Sequence, residues 1–551
     1  MKNFYLKPKL FSVLKNYTKD QFVKDIVAGI IVAIIALPLS IALALASGVE
    51  PACGVYTAIF AGFMVSFLGG SRVQIAGPTA AFATVVAGIV ATQGMDGLII
   101  ATILAGIFLI LMGVFKLGSL IKFIPYTITT GFTAGIAVTI FIGQIKDFLG
   151  LQYASGVKPI ETIEKIEANI EAIGTFSWQA LLVGAVSLAI LIIYPKFEKK
   201  VPPSLIAVIV GALMVKFIPG LDNGVFTIGE LYTIPSGLPQ FALTNMEFSF
   251  AKVSAVLPDA FTIAILAAIE SLLSCVVADS MVNSRHNSNA ELVAQGVGNI
   301  ASVLFGGIPA TGAIARTAAN AKNGGRTPIA GMVHAVVLLL VLLFLMPLAG
   351  LIPMPTIAAI LFMVAYNMSE YKKFIKTVKT APKSDIVVMV ITFGLTVIFD
   401  LVVAIEVGMI LAAMLFMKRM SEETTVKGWD YVENDADSID LKAVPKNVRV
   451  YEISGPLFFG AADKILDITF KKYTSCLVLR MRAVSAIDAT AMNSLEQLYK
   501  KCNSKGVALV LSHVNEQPLH AMQKSGFYDK VGAENFCAHI DDALIRANEI
   551  K

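Results

Sequence analysis

The sequence predicts a polytopic α-helical membrane protein carrying a small α/β domain at its C-terminal end, and three observations support this. Of 551 residues, 56% are hydrophobic and only 15% are charged, and the mean hydropathy is +0.74. Apolar runs fill residues 25 to 419; at about 20 mostly apolar residues per crossing they leave room for roughly 14 transmembrane segments. From Ser421 onward charge returns at the density of a soluble domain, so the composition itself marks a domain boundary.

Taken in order, residues 1–24 are expected to form a cytoplasmic segment. They carry Lys2, Lys7, Lys9, Lys15, Lys19 and Lys24 and lack the short apolar core of a cleavable signal. A transmembrane domain is expected over 25–420, a linker over 421–440 and a second domain over 441–551. Hydropathy places spans at 25–46, 52–69, 75–91, 96–115, 123–145, 177–194, 204–218, 255–279, 290–306, 310–320, 328–349, 355–368, 384–399 and 401–417. Loops after even-numbered spans hold Arg72, Lys116, Lys122, Lys196, Lys199, Lys200, Arg285, Lys322, Arg326, Lys372, Lys373, Lys376, Lys379 and Lys383. The other loops hold only Lys146, Lys158, Lys165, Lys216 and Lys252. Basic residues accumulate on the cytoplasmic side, so this alternation puts both termini inside, in the inner (plasma) membrane of the cell.

Two spans are too short to cross, and they occupy matching places, third in the first seven and third in the second seven. One opens with Gly77-Pro78-Thr79-Ala80-Ala81-Phe82, the other with Ile308-Pro309-Ala310-Thr311-Gly312-Ala313. Short segments interrupted by Gly and Pro at corresponding positions are the sequence mark of inverted repeats with a substrate site between half-helices. Each start offers free backbone N–H groups and the positive end of a helix dipole, an anion cradle that needs no side chain. Ordinary Gly/Pro kinks in a packed bundle are the alternative.

Charges inside the apolar stretches sharpen this reading. Arg316 is the only Lys or Arg well inside any of them. An unpaired guanidinium at bilayer depth costs at least ~2.5 to 3.5 kcal/mol on insertion scales, so it is expected to face a polar cavity. Glu270, mid-span in Ala267-Ala268-Ile269-Glu270-Ser271, could carry a coupling proton or cation, neutralise Arg316, or line a pore. Glu406 is expected to serve a neighbouring helix or a dimer contact, and His334 to be a hydrogen-bonded packing residue.

Taken together, several stretches resemble the SulP-type anion transporters, bacterial relatives of the pendrin and prestin family that end in a STAS domain. They are Ala36-Leu37-Pro38-Leu39-Ser40-Ile41-Ala42-Leu43-Ala44, Gly69-Gly70-Ser71-Arg72-Val73-Gln74-Ile75-Ala76-Gly77-Pro78-Thr79, the run from Asn289 to Asn299, and Gly306-Gly307-Ile308-Pro309 with Ala315-Arg316-Thr317-Ala318-Ala319-Asn320. The resemblance implies 14 segments as two inverted seven-helix repeats, arranged as core and gate units, with an elevator-like movement of the core and a homodimeric assembly. It implies that the small anionic substrate lies between Thr79, Ala80, Ala81 and Phe82 on one side and Thr311, Gly312 and Ala313 on the other, with Arg316 behind it. Glu270 falls where related carriers place the carboxylate tied to proton or sodium coupling.

Within that family, Leu39 replaces the Gln or Glu usual in sulfate-type members, and Ala36–Ala44 resembles the branch of bacterial bicarbonate and C4-dicarboxylate carriers. Gln144 to Leu151, Tyr366 to Glu370 and Gly455 to Phe459 resemble the proton-coupled C4-dicarboxylate type. Sodium-coupled bicarbonate carriers are expected to have a hydroxyl about where Ile314 lies, and an aliphatic side chain cannot ligate sodium, so the expected coupling ion is the proton, with sodium as the alternative.

The C-terminal stretch reads independently as α/β. Strand-like runs at 448–453, 476–481 and 507–511 alternate with helical stretches near 460–472, 489–503 and 517–525. Ile487-Asp488-Ala489-Thr490-Ala491 resembles the STAS motif that carries a phosphorylated serine in antagonist proteins, but Ala489 and Ala491 replace its flanking Ser and Gly. A helix cap is therefore the expected role there, and a cytosolic regulator of this domain remains open. No nucleophile–base pair, metal cluster or nucleotide loop suggests an enzyme, and no cofactor is expected. The net charge of +5 comes largely from loop lysines and does not suggest nucleic acid. Five scattered cysteines show no metal spacing and read as reduced thiols. An anion channel of the same fold and a membrane-tethered signalling scaffold are the competing functions; a mere anchor would have no reason to keep Arg316, Glu270 and two broken half-helices.

Overall fold

The computed structural model describes residues 6–550 except 120–124, 158, 199–200, 235–236, 238, 240, 243–249, 400 and 429–443. Lys2, Lys122, Lys158, Lys199, Lys200 and most of the expected linker lie outside the described residues.

The first repeat contains α1 (Lys19–Ala46), α2 (Pro51–Leu68), β1 (Ala76–Gly77), α3 (Ala83–Val114), α4 (Tyr126–Leu149), α5 (Trp178–Phe197) and α6 (Pro203–Phe217). The second contains α7 (Leu257–Val282), α8 (Ser288–Leu304), β2 (Thr311–Gly312), α9 (Ile314–Lys322), α10 (Ile329–Phe344), α11 (Met354–Ser369), α12 (Tyr371–Thr380), α13 (Lys383–Ile398) and α14 (Leu401–Glu423). Among the described residues each expected span overlaps a helix, and 75–91 and 96–115 fall largely on the two arms of α3. They part at Gly94, whose φ of 70° and ψ of −176° are open to glycine and costly to any residue with a Cβ.

Helix packing interleaves the repeats. α8 lies along α2 and α3, α7 along α3, and α10 along α1 and α2, so the first four segments of each repeat form one bundle. α11 packs on α4 and α5, and α13 on α4, so the later segments form a second. The division expected as core and gate units is thus visible in which helices touch.

The structure corrects the sequence reading in several places. Spans three and ten do not begin as helix, because residues 76–77 and 311–312 are strand. The basic loop after span twelve is largely a helix, α12.

The second compact unit begins at Ile410. Its five-stranded sheet has the order β3-β4-β5-β6-β7, formed by β3 (Thr425–Gly428), β4 (Val448–Ser454), β5 (Cys476–Ala483), β6 (Ala508–Ser512) and β7 (Phe536–Cys537). All neighbours are parallel except β3 on β4. β3 lies where a linker was expected; Thr425 and Val426 pair with Ser454 and Ile453, so an edge strand takes hydrogen bonds that local sequence does not announce. The expected helix at 460–472 shrinks to Asp463–Leu466. Helix α15 (Ala489–Asn503) and α16 (Glu516–Lys524) match expectation, whereas β7 and α17 (Ile540–Glu549) were not expected. Apolar residues cover both faces: Leu477, Leu479 and Leu511 pack with Leu495 and Leu498 of α15, and Val478 and Val510 with Ala543 and Ala547 of α17.

Asp488 is the N-cap of α15, accepting from Ala491 N at 2.8 Å and from Phe459 N at 2.8 Å, while Thr490 is exposed. Asp488→Ala is expected to destabilise this unit by about 1 kcal/mol, the usual value of a lost cap. Hydrogen exchange in residues 489–495 of the full protein should quicken accordingly, and Thr490→Ala should leave it unchanged.

Candidate anion-binding site

Two proline-interrupted approaches meet inside the helical unit. Pro78 holds Gly77 away from helical backbone, and Pro309 does the same to Ile308, so each chain stays extended before its helix begins. β1 and β2 then pair antiparallel, Ala76 opposite Gly312 and Gly77 opposite Thr311. After the pair, one chain makes a single 3-10 turn, Ala80–Phe82, into α3, and the other enters α9 directly. Thr79 and Ala313 are the N-caps, both with extended backbone, and neither start receives a side-chain cap. Two helix beginnings thus stand together with first-turn N–H groups that no cap satisfies.

The expected site residues gather here. Ala80, Ala81 and Phe82 are buried, as are Thr311, Gly312 and Ala313, while Thr79 is partly open. Because the Phe82 ring is fully buried, its backbone is what it can offer an anion. Ile314, the first residue of α9, is 44% exposed.

Arg316 is the third residue of α9 and only 1% exposed. Its Nη2 donates to the Pro78 carbonyl at 2.5 Å, so the guanidinium of one half-helix is tied to the approach of the other. Nε and Nη1 are buried without a hydrogen-bond partner among the described residues. A cation in the first turn adds to the positive dipole end of its own helix, which is unfavourable unless an anion completes the arrangement. A Cβ at Gly77 would overlap Nη1, so this position is kept free of a side chain to admit the guanidinium. Gly77→Ala is therefore expected to displace Arg316 and to lower stability by about 1 to 3 kcal/mol, the range for overpacking, read as a fall in the melting temperature of purified protein together with weaker anion binding.

Neutralisation of Arg316 by Glu270 is not the arrangement found. Glu270 Oε2 accepts from Thr79 Oγ1 and from Thr311 Oγ1, both at 2.9 Å, so one carboxylate spans both approaches. Its neighbours Ile269 and Ser271 are buried, and Glu270 itself is partly exposed. Ser271 Oγ accepts from Gly312 N at 3.0 Å, fixing α7 to β2 at the next residue.

A supporting stripe escaped the sequence reading. Glu291, Gln295 and Asn299 lie four apart on α8, and all are buried. Glu291 accepts from Gly70 N, Ser71 N, Gln74 Nε2 and Gln295 Nε2 at 2.9 to 3.2 Å. Asn299 Nδ2 donates to Ala310 O at 2.9 Å and its Oδ1 accepts from Ala310 N at 2.8 Å, while Ser302 Oγ donates to Ile308 O at 2.7 Å. Both approaches are thereby stapled to one helix. The i, i+4, i+8 spacing of polar residues in an apolar span was the available signal. Asp25 was missed as well: it is buried on α1 and accepts from Tyr17, Gln21, Arg326 N and Thr327, anchoring the turn that follows α9.

His334 differs from expectation. It is fully buried, but neither ring nitrogen has a hydrogen-bond partner among the described residues. Glu406 is exposed on α14.

Comparison with known proteins agrees with this architecture. Residues 22–392 match the model of the sulfate permease family, and residues 440–543 that of the STAS domain. The chain is 40% identical to YvdB of Bacillus subtilis, named as a candidate sulfate transporter, over 96% of this chain and 98% of that one. It is 31% identical to the bicarbonate transporter BicA of Picosynechococcus sp., over 95% and 94%. The structure of murine solute carrier 26 family member A9, an anion transporter in the inward-facing state, superposes with a TM-score of 0.88 at 17% identity, covering 99% of this chain and 94% of that one. The transmembrane domain of a cyanobacterial BicA gives a TM-score of 0.62 at 30% identity, covering 72% and 98%.

Proposed function

The chain belongs to the sulfate permease family of membrane anion transporters, and from that premise we propose that it is a proton-coupled, secondary active carrier of a C4-dicarboxylate, working from the inner membrane with both termini in the cytoplasm. The observation that carries this reading is the Glu270 carboxylate bridging the hydroxyls of Thr79 and Thr311. When ionised, Glu270 places a negative charge beside the two helix starts and beside the place a substrate anion would take. Like charges at such separations repel strongly in a partly buried site. Protonation removes that charge, leaving the uncapped first turns and Arg316 to the substrate. Proton and anion would then bind together, which is what symport requires.

The pairing of β1 with β2 holds both half-helices as one body, which supports an elevator-type displacement in which the bundle built on α1–α3 and α7–α10 carries the site past the other. A homodimer is part of this reading, and a cytosolic regulator of the STAS domain is compatible with it.

The similarity to BicA favours a second reading, bicarbonate as substrate. The aliphatic side chain of Ile314 at the start of α9 supplies no oxygen ligand, so sodium coupling would need a site elsewhere. Uptake of labelled succinate, bicarbonate and sulfate into proteoliposomes, with and without inward proton or sodium gradients, separates these. Proton-stimulated succinate uptake is expected; sodium-driven bicarbonate uptake would replace the proposal with the second reading, and gradient-independent flux with a channel.

A further inference from the structure

We propose that α12 (Tyr371–Thr380) is a docking surface for the anionic phospholipid headgroups of the leaflet against which it lies. The inference rests on the chain being a membrane protein and is independent of which anion it carries. α12 joins two spans, α11 ending at Ser369 and α13 beginning at Lys383. Glu370, left-handed at φ 40°, turns the chain into it, and Ala381-Pro382 turns it out. A ten-residue helix about 15 Å long, tied at both ends to spans, is confined to the membrane surface. Phe374 packs on Phe393 of α13, with ring centroids 5.5 Å apart, which fixes one side of α12 to the bundle.

The remaining surface has two stripes. Tyr371, Ile375 and Val378 fall at i, i+4 and i+7 and are 43%, 48% and 40% exposed, and no residue of the helix is buried. Lys372, Lys376 and Lys379 repeat the same spacing one residue on, about 100° further round the helix. Of the helix's lysines, Lys373 is paired with Glu370, Nζ to Oε1 at 2.5 Å, and α12 itself has no acidic residue. Apolar side chains left open on a helix held at the bilayer surface have the acyl boundary as their natural cover, and lysines flanking them snorkel to the phosphate level. Several lysines clustered beside a span are the pattern that selects anionic over zwitterionic lipid.

The test uses the full protein in nanodiscs of phosphatidylcholine alone or with phosphatidylglycerol, reading hydrogen exchange of 371–380 and the phosphatidylglycerol retained in native mass spectra. Phosphatidylglycerol is expected to slow exchange in α12 selectively. K372Q/K376Q/K379Q should abolish that effect and lower retained phosphatidylglycerol by about a hundredfold, with the melting temperature unchanged, while K372R/K376R/K379R should keep both. Equal protection in the two lipids would overturn the proposal, as would an equal loss from the control K471Q/K472Q/K505Q in the STAS domain.

Discussion

Replacing Arg316 with Ala is expected to weaken anion binding by about ten- to a hundredfold, the equivalent of the ~1.5 to 3 kcal/mol that a hydrogen bond to a charged group contributes. The buried Nε and Nη1 are donors without a partner among the described residues, and they belong to a cation placed in the first turn of its own helix. Removing that cation takes away both the donors and the field they supply. Titration of purified protein with the transported anion checks this. Lys472→Ala, an exposed change in the STAS domain, should bind as wild type. Arg316→Lys should fall between, since an ammonium keeps the charge but cannot hold the Pro78 carbonyl and face an anion with a planar fork. Unchanged affinity in Arg316→Ala, with a melting temperature showing that the protein is folded, would move the anion away from the half-helix starts.

The second large effect is expected from Glu270→Gln. The amide oxygen can still accept from Thr79 and Thr311, so the approaches should keep their positions while the site loses the titratable carboxylate that links them. Accumulation of substrate driven by an inward proton gradient should fall to the level seen without a gradient, and exchange of internal for external substrate should persist. Glu270→Ala should reduce both, because two hydroxyl donors would lose their acceptor. If Glu270→Gln accumulates substrate as wild type does across a pH gradient, the coupling group lies elsewhere. Gln74, Ser271 and Thr317 then become candidates for positioning alone, through their bonds to Glu291, Gly312 N and Ile75 N.

Much of the fold was legible because the bilayer allows few solutions. Backbone polar groups must be satisfied within each segment, so long apolar runs read directly as helices, and the expected spans overlap helices except where spans three and ten open. Both broken segments were visible for a related reason: proline removes a donor and forbids helix just before it, and Gly77-Pro78 and Ile308-Pro309 sit at matching places. The two-residue strands were not visible. Neither Ala76-Gly77 nor Thr311-Gly312 has strand character of its own, and each becomes a strand only because the other lies beside it. β3 is the same case in the second unit, a run assigned to a linker until Ile453 and Ser454 supply partners. α12 is so rich in lysine that its charge alone suggests a basic loop, although an apolar repeat at i, i+4 and i+7 runs within it.

The sequence by itself determined that the chain spans a membrane, that two half-helices interrupt it at matching positions, and that Arg316 and Glu270 are the charges requiring explanation. Hydrophobicity, proline chemistry and the cost of burying charge are local properties, written residue by residue. Only the tertiary structure decided who partners whom. It gave Glu270 to two threonine hydroxyls instead of to Arg316, tied Arg316 to the carbonyl of Pro78, and made Glu291 and Asn299 the staples of both approaches. Those pairings join residues separated by as many as 238 positions in the chain, and no local property of either partner encodes them. They follow from two repeats folding against each other, which brings each half-helix start to the other's side.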